Sequence, residues 1–552
     1  MKKNTLFLIL IILTPIIAIG QVSFTTQSVS VSGTDLATVD MNGDNLDDLV
    51  GVTTSTITIY YQQPDGTFNV SSYSIDADYP PSWSLAAGDY NADGFNDLVW
   101  GSSTGAQVLR YDPSATGTGS DYVYKVAAIS NSVFTQRTNF VDIDNDGHLD
   151  IFVSDDIEPN EYWLNDGSNN LTLYEGADPD GIPEGLGVYP SGGNYGSIWI
   201  DFDNDRDNDL FIAKCNAGGS PSARSENELH QNNGNRSFTE IATTLNLKDE
   251  INTWSAAWGD YDNDGDMDCF VGSSVNGIQH KLMRNDGNTF TDVSVSSGVT
   301  ASQSFYYENV FIDFDNDGWL DIYVNGDILY NDGDGTFTVD EDVLGGFGGG
   351  FGDLDNNGFI DMFRTDIFYN DGNANNWLKI CTVGTSSNIN GIGARIEIVT
   401  NLGEVDEMTQ IRDVRSGEGF RFMNSLNTHF GIGSETEVDK MTIYWPSGIV
   451  DVVFNPTIND ITCVTEGETL SLQDTFVNDL ILYPNPTKGI INLNTTYGFD
   501  EAIYSVFDIG GRRVLNSKFN SNQIDVSELS AGTYILRIMN NNQIKTQKFI
   551  KQ

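Results

Sequence analysis

The sequence predicts an all-β molecule: a seven-bladed β-propeller, then a β-rich domain, then a small Ig-like β-sandwich. Three observations carry this expectation. An acidic nonapeptide recurs seven times, about once every 52 residues, which is the length of a propeller blade. Short apolar runs flank each copy and alternate with Gly, Asn and Asp turns, the pattern of short antiparallel strands. The 552 residues include 56 Gly but only 14 Pro, and 39% are apolar, so a turn-rich chain still has enough material for a core.

Charge narrows the function classes first. Lys and Arg number 27 against 79 Asp and Glu, a formal charge of −52. Such a surface repels phosphate backbones, which excludes nucleic-acid binding and disfavours anionic membranes. It favours polycations or many bound divalent metals. The length suggests about three domains. The four cysteines are too few for a disulfide framework. Cys381 could pair with Cys463, and Cys215 with Cys269; the sequence leaves the pairing open.

Residues 1–20 read as an export signal. Lys2 and Lys3 precede an apolar run, Leu6 to Ile19, that contains Pro15. Ala18-Ile19-Gly20 then supplies small residues before Gln21. The run is short for a membrane span. The mature chain is expected to be soluble or surface-attached, with no membrane span, and export permits disulfides.

The seven nonapeptides have Asp at positions 1 and 9 and Asp or Asn at 3 and 5. Position 7 offers a backbone carbonyl. In that order the copies present Asp40, Asn42, Asp44, Leu46 and Asp48; Asp89, Asn91, Asp93, Phe95 and Asp97; and Asp142, Asp144, Asp146, His148 and Asp150. Next come Asp201, Asp203, Asp205, Asp207 and Asp209, followed by Asp260, Asp262, Asp264, Asp266 and Asp268. The last two are Asp313, Asp315, Asp317, Trp319 and Asp321, and Asp353, Asp355, Asn357, Phe359 and Asp361. Oxygens at alternate positions of a tight loop converge on one point. Gly at position 6 permits the sharp turn in five copies. Six to eight hard oxygens describe Ca²⁺ better than Mg²⁺, so up to seven structural Ca²⁺ are expected. Without a cation, the clustered carboxylates would repel one another by several kcal/mol per loop. The copies at Asp201, with Arg206 at position 6, and at Asp353, with Asn357 at position 5, are expected to be weaker. The loops are not EF-hands, because Gly51, Trp100 and Val153 stand where a bidentate Glu would be needed.

Each copy reads as strand, loop, strand, and then a further strand with a turn, as in YWLNDGSNN and LYNDGDGTF. Sheets arranged radially protect their edges by closing a ring. After Asp361 there is room for only about two strands. The segment Val22 to Ser32 is therefore expected to supply the missing outer strand. The seven loops resemble the FG-GAP or VCBS repeats of integrin α-chain propellers and secreted bacterial proteins, over residues 21–375. That resemblance implies a seven-bladed propeller with Ca²⁺ loops on one face, held by the residues named above.

Six residues before position 1 stand Trp83, Tyr195, Trp254, Tyr307 and Phe347. Aromatics in one register would ring one end of the propeller. They could form a stacking platform for sugar rings or a peptide, or pack between neighbouring blades. Packing is the preferred reading, because blade interfaces need large residues.

In residues 376–470 the acidic repeats stop. NWLKICTVGTSSNINGIGARIEIVT, IRDVRSGEGFRF, NTHFGIG and DKMTIYWPSGIVD alternate strand-like runs with Gly turns. These blocks resemble the ASPIC/UnbV domain, which also occurs in cartilage acidic protein and carries no implied activity. Arg412, Arg415, Glu418 and His429 are polar residues in these blocks; turn and core roles are preferred for them over a binding role. Residues 471–478 read as a linker. Residues 479–552, with LILYPNPTKGIINL and IDVSELSAGTYILRI, resemble the C-terminal sorting domain of type IX secretion cargo. That implies passage across the outer membrane of a Gram-negative cell, removal of the domain, and release or attachment at the surface.

No catalytic residue is assigned. The four His show no zinc spacing. Gly101-Ser102-Ser103-Thr104-Gly105 matches a nucleophile elbow but lies between two strands, with no helix after it. The leading expectation is a non-catalytic adhesion or recognition protein for an extracellular glycan or protein. The alternative is a Ca²⁺-dependent polysaccharide lyase or hydrolase working on the propeller face. A lyase would need a base beside a metal-bound uronate, and nothing marks one. A purely architectural spacer is the third option.

Overall fold

The computed structural model describes residues 22–552, apart from 32, 34–35, 113, 116–122, 131, 169, 176–185, 187–191, 216–221, 235, 288, 306–307, 347, 470–480, 495–502, 509–511, 519–522 and 541–542. The expected signal at 1–20 and the linker at 471–478 lie outside the described residues.

Seven four-stranded antiparallel sheets follow one another from Phe24 to Asn370. Their innermost strands are Leu36–Thr38, Ser84–Gly88, Thr135–Val141, Asn194–Ile200, Thr253–Gly259, Asn309–Ile312 and Gly350–Gly352. The first six of these touch in sequence, and the last returns to touch the first. Sheets six and seven are joined by Asn370 Nδ2, which donates to the Phe314 carbonyl at 2.8 Å. The chain therefore closes a propeller. Closure uses the segment expected from sequence: Phe24–Ser28 pairs antiparallel with Asp366–Asn370 as the outer strand of the last sheet. Alternation in the sheets places Trp100, Phe152, Phe211 and Phe270 at the sheet interfaces, all fully buried. Truncating one of them to Ala costs about 3–5 kcal/mol.

Two further sheets follow. Asn376–Val383 pairs with Thr428–Gly433 on one edge and, in parallel, with Ile461–Thr465 on the other. The parallel register sets Cys381 opposite Cys463, and these two form a disulfide across 82 residues. A loop of that length is worth about 4 kcal/mol in the chain-entropy account. Cys215 and Cys269 are buried in separate places and form no disulfide with each other. The second sheet runs Met408–Asp413, Arg395–Thr400, Lys440–Tyr444, Val450–Phe454. The C-terminal unit is a sandwich of two sheets with its own core of Leu482, Ile491, Val506, Leu536 and Phe549. No helix among the described residues is long and apolar enough to cross a membrane.

Candidate metal loops and the channel they surround

Each acidic nonapeptide forms the connection between the first and second strands of its sheet, so all seven lie on one face. Positions 4 and 6 are left-handed in every copy. Position 4 is Gly43, Ala92, Asn145, Asn204, Asn263, Asn316 or Asn356, with φ from 53° to 78°. Asn tolerates that region better than other side chains, which explains its recurrence there. Position 6 is Gly in five copies; Asn45 and Arg206 adopt φ 66° and 77° in the other two.

The loops hold their carboxylates by their own backbone. Asp142 accepts the amides of Asp146 and Gly147, and Asp260 those of Asp264 and Gly265, at 2.9–3.0 Å. The Asp at position 9 is fully buried. In six copies it accepts one amide from position 2 and one from the third strand, as Asp150 does from Ile143 and Asn165; Asp97 accepts the third-strand amide of Tyr111, and its Oδ2 is buried without a partner. In five loops one oxygen from each of three carboxylates lies within 4.8 Å of the others. The groups are Asp142, Asp144 and Asp146; Asp201, Asp203 and Asp209; Asp260, Asp262 and Asp268; Asp313, Asp315 and Asp321; and Asp353, Asp355 and Asp361. Among the described residues the loops at Asp40 and Asp89, with Asn42 and Asn91 at position 3, form no such triple. The two copies singled out as weaker, at Asp201 and Asp353, both do.

This arrangement leaves negative charge buried. Burial pushes Asp48 up to about 8, Asp142, Asp201 and Asp260 to about 7, and Asp89 to about 6. Burial also raises Asp150, Asp268 and Asp321 well above the usual range, and the neighbouring loop carboxylates add to it. The donor set fits a hard cation on a second count. Oδ1 of Asp144, Asp203 and Asp262, all at position 3, is buried with no hydrogen-bond partner. Such oxygens cost about 1–3 kcal/mol each unless something meets them.

Two recurring features lock the loops together, and the sequence reading passed over both. The Asn ending the third strand clamps adjacent sheets. Asn285 Nδ2 donates to the carbonyls of Phe202 and Met267, Asn331 Nδ2 to those of Tyr261 and Leu320. Asn165, Asn232 and Asn370 stand in the same place, the Asn of the repeated Asn-Asp or Asn-Asn turn. The position-4 Asn reaches the next loop: Asn204 to Asp266, Asn263 to the Gly318 carbonyl, Asn316 to the Gly358 carbonyl. Position-7 side chains turn outward. His148, Trp319 and Phe359 lie over Gly167, Gly333 and Gly372 of the third-strand turn.

The domain after the propeller covers this face and enters the channel. Residues 414–420 run down the axis and 421–425 return to the loop side, where Ser425 meets the Phe351 carbonyl and Asp47. Ser416 Oγ donates to the Ala87 carbonyl, and Asn139 Nδ2 to the carbonyls of Ser416 and Gly417. Arg137 Nη1 donates to the carbonyls of Phe420 and Phe422. Glu308 accepts the amides of Phe420 and Arg421 at 2.9 and 3.0 Å. Met423 exchanges backbone hydrogen bonds with Leu36 and Thr38. At the far mouth, Phe420 is ringed by Trp254, Tyr195 and Trp83, with centroids at 5.2, 6.0 and 6.4 Å. These three residues of the aromatic register thus seat a plug supplied by the same chain, and are more than blade-to-blade packing. Tyr307 and Phe347 lie outside the described residues.

The four polar residues given turn and core roles instead face the propeller. Arg415 donates to the Trp258 carbonyl and pairs with Glu418, both at 3.0 Å. Arg412 is half-buried, with Asp313 and Asp260 acting on its guanidinium. His429 Nε2 meets the Gly358 carbonyl at 3.0 Å, and burial pushes its pKa down to about 4. A cavity of about 110 Å³ remains between them and sheets five to seven. The Gly101–Gly105 stretch is a hairpin between Asp97–Ser102 and Gly105–Tyr111, so its serines are turn residues.

Comparison with known families agrees with this layout. Residues 40–139, 142–212 and 201–271 match the FG-GAP-like repeat, and residues 384–471 match ASPIC and UnbV. Residues 481–552 match the secretion system C-terminal sorting domain. The chain thus combines FG-GAP-like repeats with an ASPIC and UnbV domain and a C-terminal sorting domain of the type IX secretion kind. That tail directs it by type IX secretion to the cell surface or the medium. No curated protein sequence matches the chain. Among solved structures it is similar to an Agrocybe aegerita lectin that recognises non-reducing terminal N-acetylglucosamine. The TM-score is 0.36 at 19% identity, over 57% of this chain and 80% of that one. It is also similar to PorZ, a surface component of the type IX secretion system of Porphyromonas gingivalis (TM-score 0.31, 10% identity, 95% and 60% covered). A third is the extracellular domain of a hybrid two-component system from B. thetaiotaomicron (0.36, 12%, 95% and 72%). Likeness this weak says nothing about ligands.

Proposed function

We propose that the protein is an extracellular recognition module whose FG-GAP-like loops bind Ca²⁺ and whose outer surfaces engage a glycan or protein, without chemistry of its own. The observation that carries the calcium reading is the set of buried, unpartnered oxygens on Asp144, Asp203 and Asp262, each beside two further carboxylates. Ca²⁺ would be held by the carboxylates at positions 1, 3, 5 and 9 with the carbonyl at 7. It would stiffen the loop face. The recognition reading is favoured over the lyase or hydrolase reading because the ASPIC and UnbV domain covers the loop face and residues 414–425 fill the channel. Those are the two places where a propeller enzyme on this face would admit a chain of sugars.

The test is a panel of polysaccharides and matrix proteins exposed to Ca²⁺-loaded protein spanning residues 21–472. Retained protein and released soluble sugar are both measured, with and without EDTA. Calcium-dependent retention without product supports the recognition reading. Released sugar would replace it with the enzyme reading. Loaded protein that retains calcium but captures nothing would favour the spacer.

A further inference from the structure

The seventh loop differs from the others in one respect. In the loops at Asp89, Asp142, Asp201, Asp260 and Asp313, the position-1 carboxylate is held by the amides of positions 5 and 6 of its own loop. In the seventh, as in the first, the position-5 amide turns to the position-3 side chain, Asn357 to Asp355 and Asp44 to Asn42; but the first loop still holds Asp40 with its own amides, those of Asn42, Gly43 and Asn45. Asp353 is held from outside: Lys379 Nζ meets its Oδ2 at 3.0 Å, with both side chains buried. Lys379 comes from the first strand of the ASPIC and UnbV domain. The same strand lays the Trp377 ring against Gly358, and His429 closes over the Gly358 carbonyl. Arg395 approaches Asp201 in a comparable way, at 3.5 Å, but there the loop amides stay in place.

We infer that Lys379 is the resident cation of the seventh loop, so that this loop carries a protein ammonium where the others take Ca²⁺. A fixed positive charge in contact with a ligand carboxylate opposes the approach of a divalent ion. It also satisfies part of the charge the ion would neutralise, through Asp353 Oδ2, while the buried Oδ1 of the same carboxylate keeps no hydrogen-bond partner. The seventh loop is the seam where propeller becomes cap. A lysine there joins the two without depending on the calcium supply. This rests on the calcium reading of the remaining loops.

The experiment counts bound Ca²⁺ per chain by elemental analysis after equilibrium dialysis at fixed free Ca²⁺. The variants are Asp355→Ala in the seventh loop, Asp262→Ala in the fifth, and Lys379→Met. Both aspartates sit at position 3 and are half-buried, and circular dichroism checks folding. The expected result is that Asp262→Ala lowers the count by one, Asp355→Ala leaves it unchanged, and Lys379→Met raises it by one or unfolds the chain. Loss of one ion in Asp355→Ala, as in Asp262→Ala, would overturn the inference and leave the calcium reading intact. A wild-type chain that binds no Ca²⁺ would overturn both.

Discussion

The loop belt and the channel plug both bury polar groups, and they satisfy them in opposite ways. In the plug, carbonyls and amides of residues 416–423 meet Arg137, Asn139, Glu308 and the inner strands directly. In the belt, carboxylates meet mostly one another and the amides that hold them in place. The plug is complete as a protein structure. On the calcium reading proposed above, the belt is completed by positive charge from elsewhere. The plug should therefore depend on chain continuity and be indifferent to metal, and the belt the reverse.

Removing the plug should have the largest effect. A chain ending at residue 375 takes away the backbone carbonyls and amides that meet Arg137 and Glu308 in the channel. Breaking buried charge interactions of this kind costs about 3–5 kcal/mol for each, against a total stability of about 5–15. Residues 21–375 are expected to give no cooperative thermal transition, while residues 21–472 melt sharply. A sharp melt of the shorter piece would show the propeller to be self-sufficient.

Calcium removal comes next. Each occupied site adds about 2.7 kcal/mol at a free Ca²⁺ 100-fold above its Kd. EDTA is expected to lower the melting temperature by roughly 10 °C or more, and 1 M NaCl should fail to restore it. Equal rescue by NaCl would mean that general charge repulsion had been relieved. The pH response follows from the same carboxylates. Their folded pKa values, about 6 to 8 for Asp89, Asp142, Asp260 and Asp48, lie above the ordinary 3.8. Between those limits the metal-free folded state binds more protons than the unfolded state, so its stability falls as pH rises from about 4 to 8. With Ca²⁺ the slope should reverse, because protons compete with the ion. Differential scanning calorimetry at pH 5 and 8, with and without EDTA, reads both slopes.

The two regions also differ in how far sequence revealed them. The loops were legible because oxygen ligands at alternate positions, repeated seven times, have few other uses. The inter-sheet clamps were equally periodic, in Asn165, Asn232, Asn285, Asn331 and Asn370, but a turn-forming reading of Asn-Asp-Gly absorbed them. The plug has no period to read. Ser416-Gly417-Glu418-Gly419-Phe420 looks like any Gly turn, and its partners occur once each. One signal was present: Thr135-Gln136-Arg137-Thr138-Asn139 is polar throughout, where an innermost strand should be apolar. Buried polar runs of that kind mark a surface that receives another segment's backbone.

Phe420→Ala tests the plug at its tip with the chain intact. The ring sits among Trp254, Tyr195 and Trp83, so its loss leaves a cavity worth about 3–5 kcal/mol. The expected melting shift is the same with and without EDTA, since the ring packs on Trp254, Tyr195 and Trp83 at the end of the channel away from the loops. A shift that grows when calcium is removed would mean that plug and belt are coupled.

Asn331→Ala should give the smallest change and the finest discrimination. Its side chain donates at 2.8 Å to Tyr261 and 3.1 Å to Leu320, joining sheets five and six behind two metal loops. Two neutral hydrogen bonds contribute about 1–3 kcal/mol together. The Asn331 amide, which Asp321 accepts, is a backbone group and survives the substitution. Position 9 of the sixth loop thus keeps its geometry while the clamp is lost. The melting temperature is expected to fall by a few degrees with the Ca²⁺ count unchanged. A lost ion would show that the spacing between sheets, as well as the loop itself, sets the metal site, and would move part of the belt's design into the clamps.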